Sequence, residues 1–102
     1  MARDIGGLWK IQQSNGDSII SVSHVSQPDG AFTANAIQLG NGVHGSGGGH
    51  VEGNFVGFII NWQNNTAGAY NGSFDGQGRI FGAAFDLKNP GSTAEWHSDR
   101  TF

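Results

Sequence analysis

The sequence has no cysteine, only two prolines, few charged residues and no long apolar run. The absence of cysteine excludes disulfides and thiolate metal sites. Charged residues make up 13% of the chain, and the five Lys and Arg residues are scattered, which excludes a basic patch for nucleic acid. Because no run approaches the ~18 apolar residues of a membrane span, none is predicted. We therefore expect neither nucleic acid nor a membrane as a partner.

No signal peptide is predicted, since Met1 is followed by a polar segment with no apolar middle. The compartment stays open between the cell interior and a secreted mature form. The length of 102 residues predicts a single domain over residues 1–102.

Glycine is abundant instead, at 18 residues. Helices tolerate glycine poorly, whereas turns and bent strands use it. Turn motifs recur at short intervals, and between them lie segments with a period of two, which is typical of strands. The turn motifs are Ser14-Asn15-Gly16-Asp17, Pro28-Asp29-Gly30, Gly40-Asn41-Gly42, Asn64-Asn65-Thr66, Asp75-Gly76-Gln77-Gly78 and Asn89-Pro90-Gly91.

This pattern predicts an all-β fold, an eight-stranded antiparallel up-and-down β-barrel, with a two-sheet sandwich as the alternative. The predicted strands are 6–12, 18–26, 31–38, 49–55, 57–63, 69–75, 79–86 and 92–102. Residues 40–49 hold six glycines and His44, and we interpret them as a mobile loop or a flap over an opening.

Several short motifs resemble the avidin and streptavidin family. Residues 57–65, Gly-Phe-Ile-Ile-Asn-Trp-Gln-Asn-Asn, are similar to that family's fifth strand with its binding-site Trp. Further likenesses lie at Gly7-Leu8-Trp9, Asp29-Gly30-Ala31, Tyr70-Asn71-Gly72-Ser73-Phe74, Gly78-Arg79-Ile80 and Asp99-Arg100-Thr101-Phe102. The resemblance implies an avidin-like barrel.

The same resemblance implies a site for biotin or a related ligand, although the pocket diverges. Ser18 stands at the position of the first serine that binds the ureido group, Trp62 at one aromatic wall, and Tyr70 replaces a second Trp. The other implied ligand-binding residues are Gln13, Asn15, Gln38 and Trp96. The departures are Ile11 for the ureido Asn, Ala36 for the Tyr, Gly68 for a Ser or Thr, Ala84 or Phe85 for a third Trp, and Arg100 for the Asp.

Losing those polar contacts predicts weak biotin binding or a different ligand, because an unpaired buried group costs ~1–3 kcal/mol. Phe58 and Phe74 are assigned to the barrel core, while Trp62 and Tyr70 are divided between core and pocket wall. Trp9 and Arg100 resemble the structural pair of the wider calycin group, in which a basic side chain lies across the Trp.

We expect neither an enzyme nor a cofactor or metal. The histidines at 24, 44, 50 and 97 lie on different segments, and we interpret them as solvated. Asp86 and Glu95 could face each other as a carboxylate pair, but solvated positions are favoured. A small-ligand-binding barrel is the leading hypothesis, and a lectin-like carbohydrate-binding module or a structural module is the alternative.

Self-association is expected with each of these functions. If alternate residues fill the barrel, an apolar face is left outside it, formed by Ile19, Ile59, Phe81, Ala83 and Phe85. Such a face is larger than a monomer normally shows, and it predicts a homodimer or homotetramer.

Overall fold

A computed structural model describes residues 3–14, 16–26 and 29–102 of the chain. Eight strands run in chain order, each antiparallel to the next, and pairing between β1 and β8 closes them into a barrel. The up-and-down barrel predicted from the sequence is confirmed. The strands are β1 Gly7–Gln13, β2 Ser18–Val22, β3 Ala31–Gln38, β4 His44–Glu52, β5 Phe55–Trp62, β6 Ala67–Phe74, β7 Arg79–Asp86 and β8 Asn89–Thr101.

Alternation along the strands separates the core from the outer surface. In β5 the side chains of Val56, Phe58, Ile60 and Trp62 are buried, whereas the intervening residue Ile59 is 42% exposed. This is the expected result for a closed sheet, where successive side chains point to opposite faces. Phe58 and Phe74 lie in the core as predicted.

The glycine-rich segment is the largest departure from the sequence prediction. Residues 44–49 are not a loop but the first part of β4, paired with β3 on one side and β5 on the other. A Cβ at Gly47 would overlap the carbonyl oxygen of Ile59, and one at Gly49 would overlap that of Gly57. The glycines therefore let the neighbouring strands approach closely, and only residues 39–43 connect β3 to β4.

Other strand boundaries also differ from the prediction. The second strand ends at Val22 rather than at residue 26, and the turn between β4 and β5 lies at residues 53–54. The last turn lies at Leu87-Lys88, because Asp86 accepts a hydrogen bond from the Lys88 backbone N–H at 2.9 Å, and Asn89-Pro90-Gly91 already belongs to β8. Pro90 is tolerated there because β8 pairs with β1 only at Trp96 to Ser98.

One end of the barrel is closed by the chain termini. Ile5 is fully buried, and its carbonyl accepts a hydrogen bond from the Trp9 indole N–H at 3.0 Å. Phe102 packs edge-on against Trp9, with ring centroids 5.3 Å apart. The guanidinium of Arg100 lies over Phe102 at 4.7 Å, so the predicted stacking of Arg100 on Trp9 is replaced by a contact through Phe102.

Exposed aromatic and aliphatic side chains are found on the outer surface. Ile59 points outward as predicted, and so does Phe81, which is 51% exposed. Phe55 is exposed as well, and the register brings it and Phe81 to the two sides of Ser73 on β6. None of the described residues forms a helix long and apolar enough to cross a membrane.

Candidate functional site

A cavity opens at the end of the barrel opposite the termini. Four connections meet there, those between β1 and β2, β3 and β4, β5 and β6, and β7 and β8, because alternate connections of an up-and-down barrel lie at the same end. The cavity has a volume of about 290 Å³. It is lined by Gln13, Gly16, Asp17, Ser18, Gln38, Gly40, Asn41, Trp62, Thr66, Ala67, Gly68, Tyr70, Ala84, Phe85, Asp86, Ser92, Thr93 and Ala94.

Packed aromatic rings support the cavity from inside the barrel. Tyr70 is stacked on Phe58, with centroids 4.9 Å apart and an interplanar angle of 11°. Trp96 packs edge-on against Tyr70, with centroids 5.9 Å apart, and its indole N–H donates to the carbonyl of Ala83. These contacts fix the orientation of the Tyr70 ring at the inner wall of the cavity.

Two hydroxyl groups in the cavity wall belong to buried side chains and have no hydrogen-bond partner among the described residues. Ser18 and Tyr70 are each 4% exposed, and neither hydroxyl forms a hydrogen bond to another described residue. Among the described residues, every fully buried side-chain nitrogen or oxygen has a partner. The two hydroxyls must therefore be reached from the cavity, where a ligand can pair with them.

The Tyr70 hydroxyl is held in its neutral form. Burial raises its pKa to about 12, because the surroundings disfavour the charged phenolate. At neutral pH Tyr70 therefore offers both a hydrogen-bond donor and an acceptor.

Trp62 provides a flat apolar wall beside these hydroxyls. It is 8% exposed and lies between the cavity and a second depression of about 510 Å³ on the outside of β3, β4 and β5. Gly45 on β4 allows this position, because a Cβ there would come within 2.6 Å of Cε3 of the indole.

The rim of the cavity is polar and carries two carboxylates. Asp17 accepts the backbone N–H of Gln13 at 3.3 Å, and Asp86 accepts that of Lys88 at 2.9 Å, through one oxygen in each case. No Lys, Arg or His side chain is among the described residues that line the cavity.

The structure brings together most of the ligand-binding residues expected from the sequence. Ser18, Gln13, Gln38, Trp62 and Tyr70 all line the cavity. Asn15 lies outside the described residues. Trp96 is 2% exposed and packs beneath Tyr70, so it supports the wall and does not line it.

Sequence reasoning missed several lining residues. The missed polar residues are Asp17, Asn41, Thr66, Asp86, Ser92 and Thr93. These residues lie in or near the connections at one end of the barrel. Examining the polar residues around every second predicted turn could therefore have identified them from the sequence.

The structure also shows where the residues that depart from the avidin pattern lie. Gly68, Ala84 and Phe85 all line the cavity. Ala84 is buried, whereas Phe85 is half-buried. Arg100, aligned with the family's Asp, lies at the closed end over Phe102. The register places Glu95 opposite Ala83 and Asp86 opposite Asn89, so Asp86 and Glu95 do not form a facing pair.

No group of three or more His, Asp or Glu side chains suited to holding a metal ion occurs within residues 3–14, 16–26 and 29–102. Comparisons with family models, with curated proteins and with solved structures found no match to this chain.

Proposed function

We propose that this chain is a non-enzymatic barrel that binds a small molecule in the cavity at its open end. The observation that carries the proposal is the pair of hydroxyls of Ser18 and Tyr70, which border the same cavity and have no hydrogen-bond partner among the described residues. A polar group that loses water without gaining a partner costs ~1–3 kcal/mol, so a ligand that fills the cavity must supply hydrogen bonds to both hydroxyls. Packing already holds the Tyr70 ring in place, so little ordering is needed when the ligand binds.

The size of the cavity and its aromatic wall limit which ligands can bind. Ligand pockets usually measure roughly 300–1,000 Å³, and the cavity of about 290 Å³ lies at the small end of that range. Trp62 offers a flat surface on which a ring can stack. The preferred ligand is therefore a single or fused small ring with a polar group at its inner end.

Biotin or a molecule like its ring system is the first candidate, and it is expected to bind weakly. Ser18 and Trp62 stand where the avidin resemblance requires a ureido contact and an aromatic wall, and both line the cavity. Other contacts are missing, since Ala36 and Gly68 have no polar side-chain atoms and Arg100 lies at the other end. Several lost hydrogen bonds remove most of the affinity of a tight binder.

A saccharide is the second candidate, and the polar rim favours it. Amide and hydroxyl side chains, among them Gln38, Asn41 and Thr66, surround an opening with Trp62 at its wall. Such groups can bond sugar hydroxyls while an aromatic face covers the ring.

The test is a titration with biotin and with a panel of monosaccharides, followed by tryptophan fluorescence and isothermal calorimetry. We expect saturable binding that Trp62→Ala abolishes and that Ser18→Ala and Tyr70→Phe weaken by about tenfold each, which corresponds to ~1.4 kcal/mol per lost hydrogen bond. The matched control is Trp9→Phe, which alters an indole at the closed end. Binding that survives Trp62→Ala would overturn the proposed site. If biotin, the monosaccharides and the fragments described below all fail to bind, a structural module would be favoured.

A further inference from the structure

We propose that the cavity favours neutral or cationic ligands over anions, so that the carboxylate of biotin is expected to weaken its binding; this inference rests on the proposed binding function and specifies the chemical class of ligand. The inference starts from the different side chains found at the inner level and at the rim of the cavity. Hydroxyl groups lie on the inner walls, and carboxylates lie on the rim.

The inner level suits an uncharged polar group. The hydroxyls of Ser18 and Tyr70 can each donate or accept a hydrogen bond. They carry no formal charge, and burial keeps the Tyr70 hydroxyl protonated. A carbonyl, ether or hydroxyl oxygen can pair with them, but a carboxylate placed there would lose its hydration without meeting a cation.

The rim makes the site unfavourable for anions in a second way. Asp17 and Asp86 are both half-buried, so their charges are less screened than those of fully exposed carboxylates. Each uses one oxygen to accept a backbone N–H, from Gln13 and Lys88 respectively. An ammonium, guanidinium or amide N–H on the outer end of a ligand can reach the remaining acceptor positions.

No basic side chain of the described residues lines the cavity beside the two rim carboxylates. Arg3 and Arg100 lie at the closed end over Phe74 and Phe102, and Arg79 begins β7 at the same end. Lys10 lies in the middle of β1 and does not line the cavity. Lys88, in the turn after β7, and His44, at the start of β4, lie near the open end. Both are exposed, and neither lines the cavity.

The experiment uses fragments that share one ring and carry an anionic, a neutral or a cationic polar substituent. The first set is benzoate, benzamide and benzylamine, and the second is a cyclic urea carrying a carboxylate, a carboxamide or a primary amine. Binding to the full chain is measured by ligand-observed NMR and calorimetry at low and at high salt.

We expect the amine to bind about tenfold more tightly than the carboxylate at low salt, with the amide between them. High salt is expected to reduce this ratio, because it screens charges at the rim.

Two variants locate the effect. Asp86→Asn and Asp17→Asn each keep an oxygen that can accept the backbone N–H but remove the charge, and each is expected to lower the ratio by about threefold. The matched control is Asp75→Asn in the turn between β6 and β7, at the closed end. Asp75 likewise accepts backbone N–H groups, from Gln77 at 2.8 Å and Arg79 at 3.0 Å, and its loss changes the net charge equally.

The outcomes separate the two proposals. If carboxylates bind as tightly as amines in both sets, or if Asp75→Asn lowers the ratio as much as Asp86→Asn does, the charge selection is wrong while small-molecule binding stands. If no fragment, sugar or biotin binds, the binding function itself fails, and the selection with it. Because the salt dependence is measured on the unaltered chain, it tests the inference even if a variant fails to fold.

Discussion

Gly45 on β4 lies against the indole of Trp62 on β5, its direct partner in the antiparallel register. A Cβ at Gly45 would lie 2.6 Å from Cε3 of Trp62 and 2.7 Å from Cγ2 of Ile60. The wall of the cavity is therefore set by a glycine on the neighbouring strand, in the segment that sequence reasoning interpreted as a loop.

Replacing Gly45 by alanine is expected to displace Trp62. The added methyl group has no room, so the indole and Ile60 must both move, at a cost of ~1–3 kcal/mol in the free energy of unfolding. Urea unfolding and tryptophan fluorescence report the loss of stability and the new environment of Trp62. Gly40→Ala is the matched control, because a Cβ at Gly40 meets nothing within 4 Å. Equal stability of the two variants would contradict the close packing.

Ser98 is expected to be important for the pairing of β7 with β8. The register between these strands shifts between Arg79 and Phe81, and the buried Ser98 hydroxyl accepts the backbone N–H of Ile80 at 3.0 Å and donates to the carbonyl of Arg100 at 2.7 Å. The hydroxyl thus replaces a ladder bond that the irregularity removes.

Ser98→Ala should lower the free energy of unfolding by ~1–3 kcal/mol, because it leaves the buried N–H of Ile80 without an acceptor. Thermal and urea unfolding measure the change. Ser46→Ala, at an exposed position on β4, should change it by less than about 0.5 kcal/mol. If the Ser98→Ala variant were as stable as the parent, another group would have to accept the hydrogen bond from the backbone N–H of Ile80.

Tyr70 should ionise only in strongly alkaline solution. It is the single tyrosine of the chain, so the phenolate absorbance reports one group. Its pKa in the folded chain is about 12, against an ordinary value of 10.0, and burial is the cause. A spectrophotometric titration of the folded barrel should therefore show no phenolate near pH 10, and a midpoint close to the ordinary value would mean that the hydroxyl is well solvated.

The same shift predicts how stability changes with pH. Between pH 10 and about 12 the unfolded chain loses the Tyr70 proton while the folded chain keeps it. The contribution of the neutral hydroxyl to stability is thus complete below pH 10 and is lost as the pH rises through this window, by an amount on the order of 2–3 kcal/mol. Unfolding measured across the window should show this loss in the parent and a smaller one in Tyr70→Phe.

Self-association through the outer face is also expected. Ile59, Phe81 and Phe55 are exposed by 42%, 51% and 46%, and they lie on β5 and β7, the two strands that flank β6. Exposed apolar residues grouped in this way favour contact with a second copy. Light scattering should give the mass of a dimer or tetramer, and the double variant Ile59→Ser and Phe81→Ser should reduce it to a monomer.

The control for that measurement is Leu39→Ser, which removes an equally exposed apolar side chain from the turn between β3 and β4. A monomer mass for the unaltered chain would show that the exposed face has no partner among its own copies.

The sequence by itself determined the fold class and most of the strands. Alternation in β5 and the turn at residues 63–66 are local properties, since side chains alternate in any strand and Asn65 tolerates its positive φ of 66°. The predicted strands 31–38 and 79–86 agree with β3 and β7 at both ends. Ser18, Trp62 and Tyr70 were also identified from the sequence, through the resemblance of their surrounding motifs.

Only the tertiary structure decided the role of the glycine-rich segment and the composition of the cavity. A glycine run has no side-chain pattern to read, so its state depends on the neighbours that approach it, here Ile59 and Gly57 on β5. The rim brings together Asp17, from the connection between β1 and β2, and Asp86, from the end of β7, and they share one opening because β1 pairs with β8. Closure of a sheet is a long-range event, and no local pattern records which distant side chains it places around the same cavity.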